Sequence, residues 1–131
     1  MITAVDSCVI LDVLLDDPDY AERSMAALSR GRREGRLVVC DFVVAEIVPV
    51  VGERIADLLD DFDLHHLPCS PETSILAGRG FSEYLAKGGK RGRIVADFLI
   101  TAHATLQADR LLTRNAGFRR GYFQHLEIWY P

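Results

Sequence analysis

The sequence predicts an α/β domain built on a mainly parallel sheet. Short, apolar, β-prone runs alternate along the chain with stretches of helical spacing, and acids stand where several of those runs end. The composition agrees. At 131 residues, 49% of them hydrophobic and 26% charged, the chain has the size and balance of one globular domain, 1–131, with surface enough to bury a single core.

The first run, "ITAV", is a strand that stops at Asp6-Ser7, where "CVILDVLL" changes to helical spacing. Pro18 predicts the start of a second helix, "PDYAERSMAALSR", ended by the Gly- and Arg-rich "GRREGR". A second strand, "RLVVC", leads to Asp41, a cap for the third helix "FVVAEIVPVV", which Pro49 should kink or end because it lacks a backbone donor. A fourth helix, "RIADLLDDF", and a short strand in "DLHHL" follow. Pro71 opens a long helix to about Lys87, and "KGGKRGR" reads as a loop. A helix from about Ile94 to Gln107, the strand "RLLT", a turn at "RNAGF" and a last strand near "LEIW" complete the chain.

Several classes of function are excluded or disfavoured. The most apolar window, "LVVCDFVVAEIVPVV", contains Asp41, Glu46 and Pro49 and falls short of the ~20 residues of a membrane span. The start "MITAVDSCVILDVLL" lacks the pattern of a secretory signal, so a cytoplasmic protein is expected, with no membrane partner. Cys8, Cys40 and Cys69 are odd in number and lie mainly in apolar segments, which suits reduced packing thiols. The net charge of −4 argues against a general polyanion binder. It is unevenly spread, however: residues 1–86 hold seven Lys/Arg and sixteen Asp/Glu (−9), and residues 87–131 hold eight and three (+5). A basic C-terminal third marks either a nucleic-acid face or an uneven solvated surface.

In an open α/β sheet the ligand crevice lies outside the carboxyl ends of the strands. Asp6 falls at such an end, Glu46 in the helix after the second strand, Asp97 in the first turn of the helix before the fourth strand, and Asn115 just beyond that strand. Two carboxylates ~4 Å apart repel by about 4 kcal/mol at an effective dielectric near 20, so converging acids hold either protons or a cation. An oxygen-only cluster suits Mg²⁺ or Mn²⁺, the equipment of metal-dependent phosphodiester hydrolysis. Taken singly, Asp6 can be a helix cap, Glu46 a solvated glutamate, and Asp97 a carboxylate at the positive end of a helix dipole. Asp97 differs in its company, since Val95, Phe98, Leu99, Ile100 and Ala102 leave little polar surface around it. Asp12, Asp16, Asp17, Asp60 and Asp61 are expected on solvated faces or helix ends.

The stretches "VDSCVIL", "VVAEI", "ADFLITAHA" and "ADRLLTRNAGF" together resemble the PIN-domain ribonucleases, specifically VapC-type toxins of toxin–antitoxin pairs. The resemblance covers nearly the whole chain. It implies a PIN-like fold, a mainly parallel sheet of four or five strands flanked by helices, and an Mg²⁺- or Mn²⁺-dependent endoribonuclease that dimerises and is inhibited by a cognate antitoxin. Mapped by motif, the metal-binding acids are Asp6, Glu46 and Asp97. The family's fourth acid is replaced by Asn115, which can offer a neutral oxygen to a metal but cannot serve as a base. Ser7 and Thr113 are auxiliary hydroxyls, while Asp109 lies at the wrong end of its strand to substitute for the missing acid. Lys90, Arg91, Arg93 and Arg114 are candidate contacts to RNA phosphates.

His65 and His66 point to opposite faces of a strand, and His103 reads as a packed histidine. The expected function is therefore an endoribonuclease toxin. The alternative is a catalytically impaired PIN-like module that binds RNA or an antitoxin, supported by Asn115. A phosphatase of the haloacid dehalogenase type ranks lower, because Asp6 is followed by Ser7-Cys8 and not by a second Asp.

Overall fold

Short runs of three or four residues form the strands, among them the largely buried ITAV, RLVV and RLL. The computed structural model describes residues 1–90, 94–115, 117 and 119–131, the side chains of 94, 119 and 120 excepted. Along the chain these are β1 (Ile2–Val5), α1 (Ser7–Leu14), α2 (Ala21–Glu34), β2 (Arg36–Val39), α3 (Asp41–Val51), a 3-10 turn (Gly52–Arg54), α4 (Ile55–Asp61) and β3 (Leu64–His66). Then come α5 (Pro71–Ala86), α6 (Ile94–Gln107), β4 (Arg110–Leu112), α7 (Arg119–Tyr122) and β5 (Glu127–Trp129).

The strands form one five-stranded sheet in the order β3-β2-β1-β4-β5, with every pairing parallel. The expected α/β class is the one observed. After β1 the chain steps outward through β2 and β3 on one side, then returns through α6 to place β4 on the other. Position β1 is therefore a topological switch point, and the general rule for open α/β sheets puts the ligand crevice at its carboxyl end.

Both faces of the sheet are covered. Val9, Ile10, Leu28, Val43 and Ile47 from helices pack with Leu37, Val38, Leu111 and Leu112 from strands in the main core. Burying each such aliphatic side chain stabilises the fold by about 1.5–3 kcal/mol. A second cluster gathers Ala77, Phe98, Ala102 and Phe123, with Phe81, Tyr84 and Tyr122 packed around Phe98. It joins α5 to α6 and so fixes the helix that carries Asp97.

Four expectations need correction. The second helix starts at Ala21, because the Asp17 carboxylate accepts the backbone N–H groups of Asp19 and Tyr20 and holds Pro18 in a turn. The same helix continues through Gly31 to Glu34; a Cβ on Gly31 would lie 2.7 Å from Leu37 Cδ2, so glycine permits the close approach of α2 to β2. Asp41 lies inside α3 and does not cap it, its carboxylate being turned to the Cys69 N–H and His66. Pro49 does not end α3, which runs to Val51 and stops at Gly52 with φ +59°. The short α7 was not expected. Of the loop "KGGKRGR", residues 91–93 lie outside the described ones. Among the described residues no helix is long and apolar enough to cross a membrane.

Candidate active site

Asp6 is the residue on which the crevice turns. Its N–H donates to the Leu112 carbonyl at 3.0 Å, tying the end of β1 to β4, and its own carboxylate caps α1 by accepting the Ser7 N–H at 2.8 Å. The other carboxylate oxygen accepts the Thr113 hydroxyl at 2.6 Å, and the residue is only 4% exposed. The helix-cap reading of Asp6 is thus correct as far as it goes. A buried carboxylate is stabilised by such donors and by the positive end of the helix it caps.

Ser7 connects Asp6 to the second acid. Its hydroxyl oxygen lies 3.5 Å from Asp6 Oδ1 and 3.3 Å from Glu46 Oε1. Having one proton, it donates to one carboxylate at a time. Glu46 is exposed on α3, more than one turn past the helix start, so its carboxylate reaches the crevice from the solvent side.

Asp97 is half-buried in the first turn of α6, a helix that packs against α3, which bears Glu46, and against β1, which Asp6 directly follows. Its carbonyl accepts the Thr101 hydroxyl at 2.6 Å. Among the described residues no three His, Cys, Asp or Glu side chains are gathered closely enough to enclose a metal ion. The donor set is nonetheless hard oxygen throughout: carboxylates of Asp6 and Glu46, hydroxyls of Ser7 and Thr113. In kind it fits Mg²⁺ or Mn²⁺.

Beyond β4, the buried Thr113 hydroxyl donates to Asp6 and accepts the Asn115 N–H at 3.0 Å. Asn115 itself is exposed. Asp109 is at the opposite end of the strand, where its N–H donates to the Ile2 carbonyl at 2.8 Å. Next to Ser7, burial and then the Asp6 charge push the Cys8 thiol up to about 11, so it is neutral at physiological pH. His103 is buried with Nε2 2.8 Å from the Leu67 carbonyl, and burial lowers its pKa, as befits a packed histidine. Cys8, Cys40 and Cys69 are free thiols.

Of the candidate RNA contacts, Lys90 is exposed, whereas Arg91 and Arg93 lie outside the described residues. Arg114 is engaged inside the protein: its Nη2 donates to Asp12 Oδ1 at 2.7 Å and its guanidinium sits over the Tyr20 ring, 4.2 Å from the centroid. Asp12 is the residue that sequence reasoning misplaced. It is not on a solvated face but 3% exposed, accepting the Ser24 hydroxyl as well as Arg114. The signal was present, for Asp12 in "VILDVLL" is as closely surrounded by apolar residues as Asp97.

An open parallel α/β sheet with a buried carboxylate at its switch point, a second acid across a serine and a threonine behind it defines a protein with an acidic crevice site. Residues 3–124 match the PIN domain, and the chain belongs to the PIN-domain family. In fold it is similar to a chain in the structure of VapBC2 from Rickettsia felis bound to a DNA fragment from their promoter, with 21% identity over 100% of this chain and 99% of that one and a TM-score of 0.74. It is also similar to a chain of FitAcB from Neisseria gonorrhoeae (22% identity, 98% and 96% covered, TM-score 0.71). A third is a chain of DNA-bound VapBC from Salmonella typhimurium (18%, 99% and 98%, TM-score 0.68). No curated protein matches the sequence significantly.

Proposed function

We propose that the chain is a VapC-like toxin, an endoribonuclease that uses Mg²⁺ or Mn²⁺ to hydrolyse RNA phosphodiester bonds and is held inactive by a cognate antitoxin. The observation that carries this reading is the Asp6 carboxylate, buried at the switch point of a PIN-family sheet and linked through Ser7 to Glu46. The antitoxin partner is supported by the similarity in fold to chains solved in VapBC and FitAcB complexes. On this reading the protein is a single cytoplasmic domain, 1–131, that works as a homodimer.

Asp6, Glu46 and Asp97 would hold the cation, with Asn115 as a neutral fourth donor. A divalent cation supplies positive charge for a phosphate oxygen and acidifies water at neutral pH. The chain's own residues do the rest. Thr113 and the Ser7 N–H fix the orientation of the Asp6 carboxylate, and Ser7 sets its spacing from Glu46. Lys90, with Arg91 and Arg93 beside it in sequence, offers cations for the RNA backbone.

The test is cleavage of total RNA by the chain freed of any antitoxin, with Mn²⁺, Mg²⁺ or chelator. Cutting that needs metal and disappears in Asp97→Asn is the expected result; metal-independent cutting, or cutting unaffected by Asp97→Asn, contradicts it. A second reading, an impaired module that binds RNA or antitoxin without cutting, is favoured by Asn115 alone. It moves ahead if the folded chain cuts nothing and only Asn115→Asp restores activity.

A further inference from the structure

The turn that leaves β4 carries two residues of the site, Thr113 and Asn115, with Arg114 between them. We propose that Arg114 is a positioning residue: anchored on Asp12 and Tyr20, it fixes this turn so that Thr113 presents its hydroxyl to Asp6 and Asn115 its N–H to Thr113. The catalytic part of the proposal rests on the nuclease reading; the positional part stands without it.

Three contacts support the assignment. Asp12 on α1 is 3% exposed and would be costly to bury without a cation, so the 2.7 Å hydrogen bond from Arg114 Nη2 answers a real demand. The second oxygen of Asp12 accepts the Ser24 hydroxyl at 2.8 Å, which locks α1, α2 and Arg114 together. The planar guanidinium also lies over Tyr20, in the turn between those helices, an arrangement an ammonium group does not reproduce. The side chain thus pulls toward α1 and α2 while its neighbours keep their bonds at Asp6, 2.6 Å from Thr113 Oγ1, and at Thr113, 3.0 Å from Asn115 N. A charge committed in this way serves as a strut of the site.

The experiment is amide hydrogen exchange on the full chain without metal or RNA, comparing wild type, Arg114→Gln and Arg114→Lys. Exchange at Asn115 is expected to rise about tenfold in Arg114→Gln and about threefold in Arg114→Lys, which keeps a cation for Asp12 but loses the planar stack on Tyr20, while Val38 and Leu111 in the central strands report the global loss of stability separately. Unaltered exchange at Asn115 overturns the proposal, and so does an equal rise at Val38 and Leu111, which would make Arg114 an ordinary stability contact. Should Arg114→Gln fail to fold, Tyr20→Leu removes the ring that Arg114 shares with Arg23, leaves the Arg114–Asp12 pair in place and carries the same comparison, with about a threefold rise expected at Asn115 and none overturning the idea. In the cleavage assay, Arg114→Gln should lower kcat more than it raises KM. Wild-type protein that cuts no RNA would overturn the nuclease reading, and the exchange result would still decide the role of Arg114.

Discussion

Two arginines stand at the ends of β4, and they are built alike and used differently. Arg110, at the start of the strand, donates to the Thr3 hydroxyl at 2.9 Å, pairs with Glu34 and lies over the Trp129 ring, 4.0 Å from its centroid. Arg114, past the strand's end, pairs with Asp12 and lies over Tyr20. Burial is reversed between them. At the first end the arginine side chain is 6% exposed and its acid 32%, whereas at the second the acid is 3% exposed and the arginine 31%. Each aromatic ring covers a guanidinium face, and each pair closes one rim of the sheet. Only the Arg114 pair borders Asp6, so the same construction is a clasp for the fold at one end and a support for the site at the other.

Substitutions at the two ends should separate these uses. The largest loss of stability is expected from Arg110→Ala, which removes the packing on Trp129 and the bonds to Thr3 and Glu34; thermal unfolding should show about 2–3 kcal/mol, or ~8 °C in Tm. RNA cleavage per folded molecule, measured well below that Tm, should not change. Arg114→Gln should cost less, about 2 kcal/mol, because the variant leaves Asp12 buried beside Ser24 alone, yet cleavage should fall. If Arg110→Ala also removes activity in the folded protein, the contrast between the two ends is lost. Asp12→Asn keeps an acceptor for Ser24 and should cost about 1 kcal/mol, with a smaller fall in cleavage.

The smallest effect lies away from both pairs and calibrates them. Burial lowers the pKa of His103 from 6.5, so below that pH the unfolded chain takes up a proton that the folded chain refuses. Stability from this group is complete above pH 6.5 and declines as pH falls toward the folded pKa. Chemical denaturation of His103→Gln across that range should show a flatter pH dependence than wild type.

Much of this was legible in the sequence because it depends on local pattern. "ITAV" ending at Asp6 is a strand running into a helix cap, and alternation with helices is enough to specify a parallel sheet. Asp97 stood out for its apolar company, a test that applied to Asp12 would have revealed a buried acid needing a partner. Other features are set by contacts distant in sequence. Asp41 looks like a cap for the helix it precedes, but Cys69 and His66 draw its carboxylate away. Gly31 looks like a helix end, and only the position of Leu37 shows that it is a place of close approach. Pro49 costs α3 one donor, which packing of Val43 and Ile47 in the core outweighs.

The bond between the Thr113 hydroxyl and Asp6 spans 107 residues. Because β1 is inserted between β2 and β4, the first strand made is also one of the last to find both neighbours. Such non-local pairing slows folding and sets the order of assembly. A nascent chain that has reached residue 112 already contains Asp6, Glu46 and Asp97, but not the hydroxyl that orients the first of them. The crevice is thus completed only once the strand before Thr113 has been made, after every other part of the sheet but its last strand.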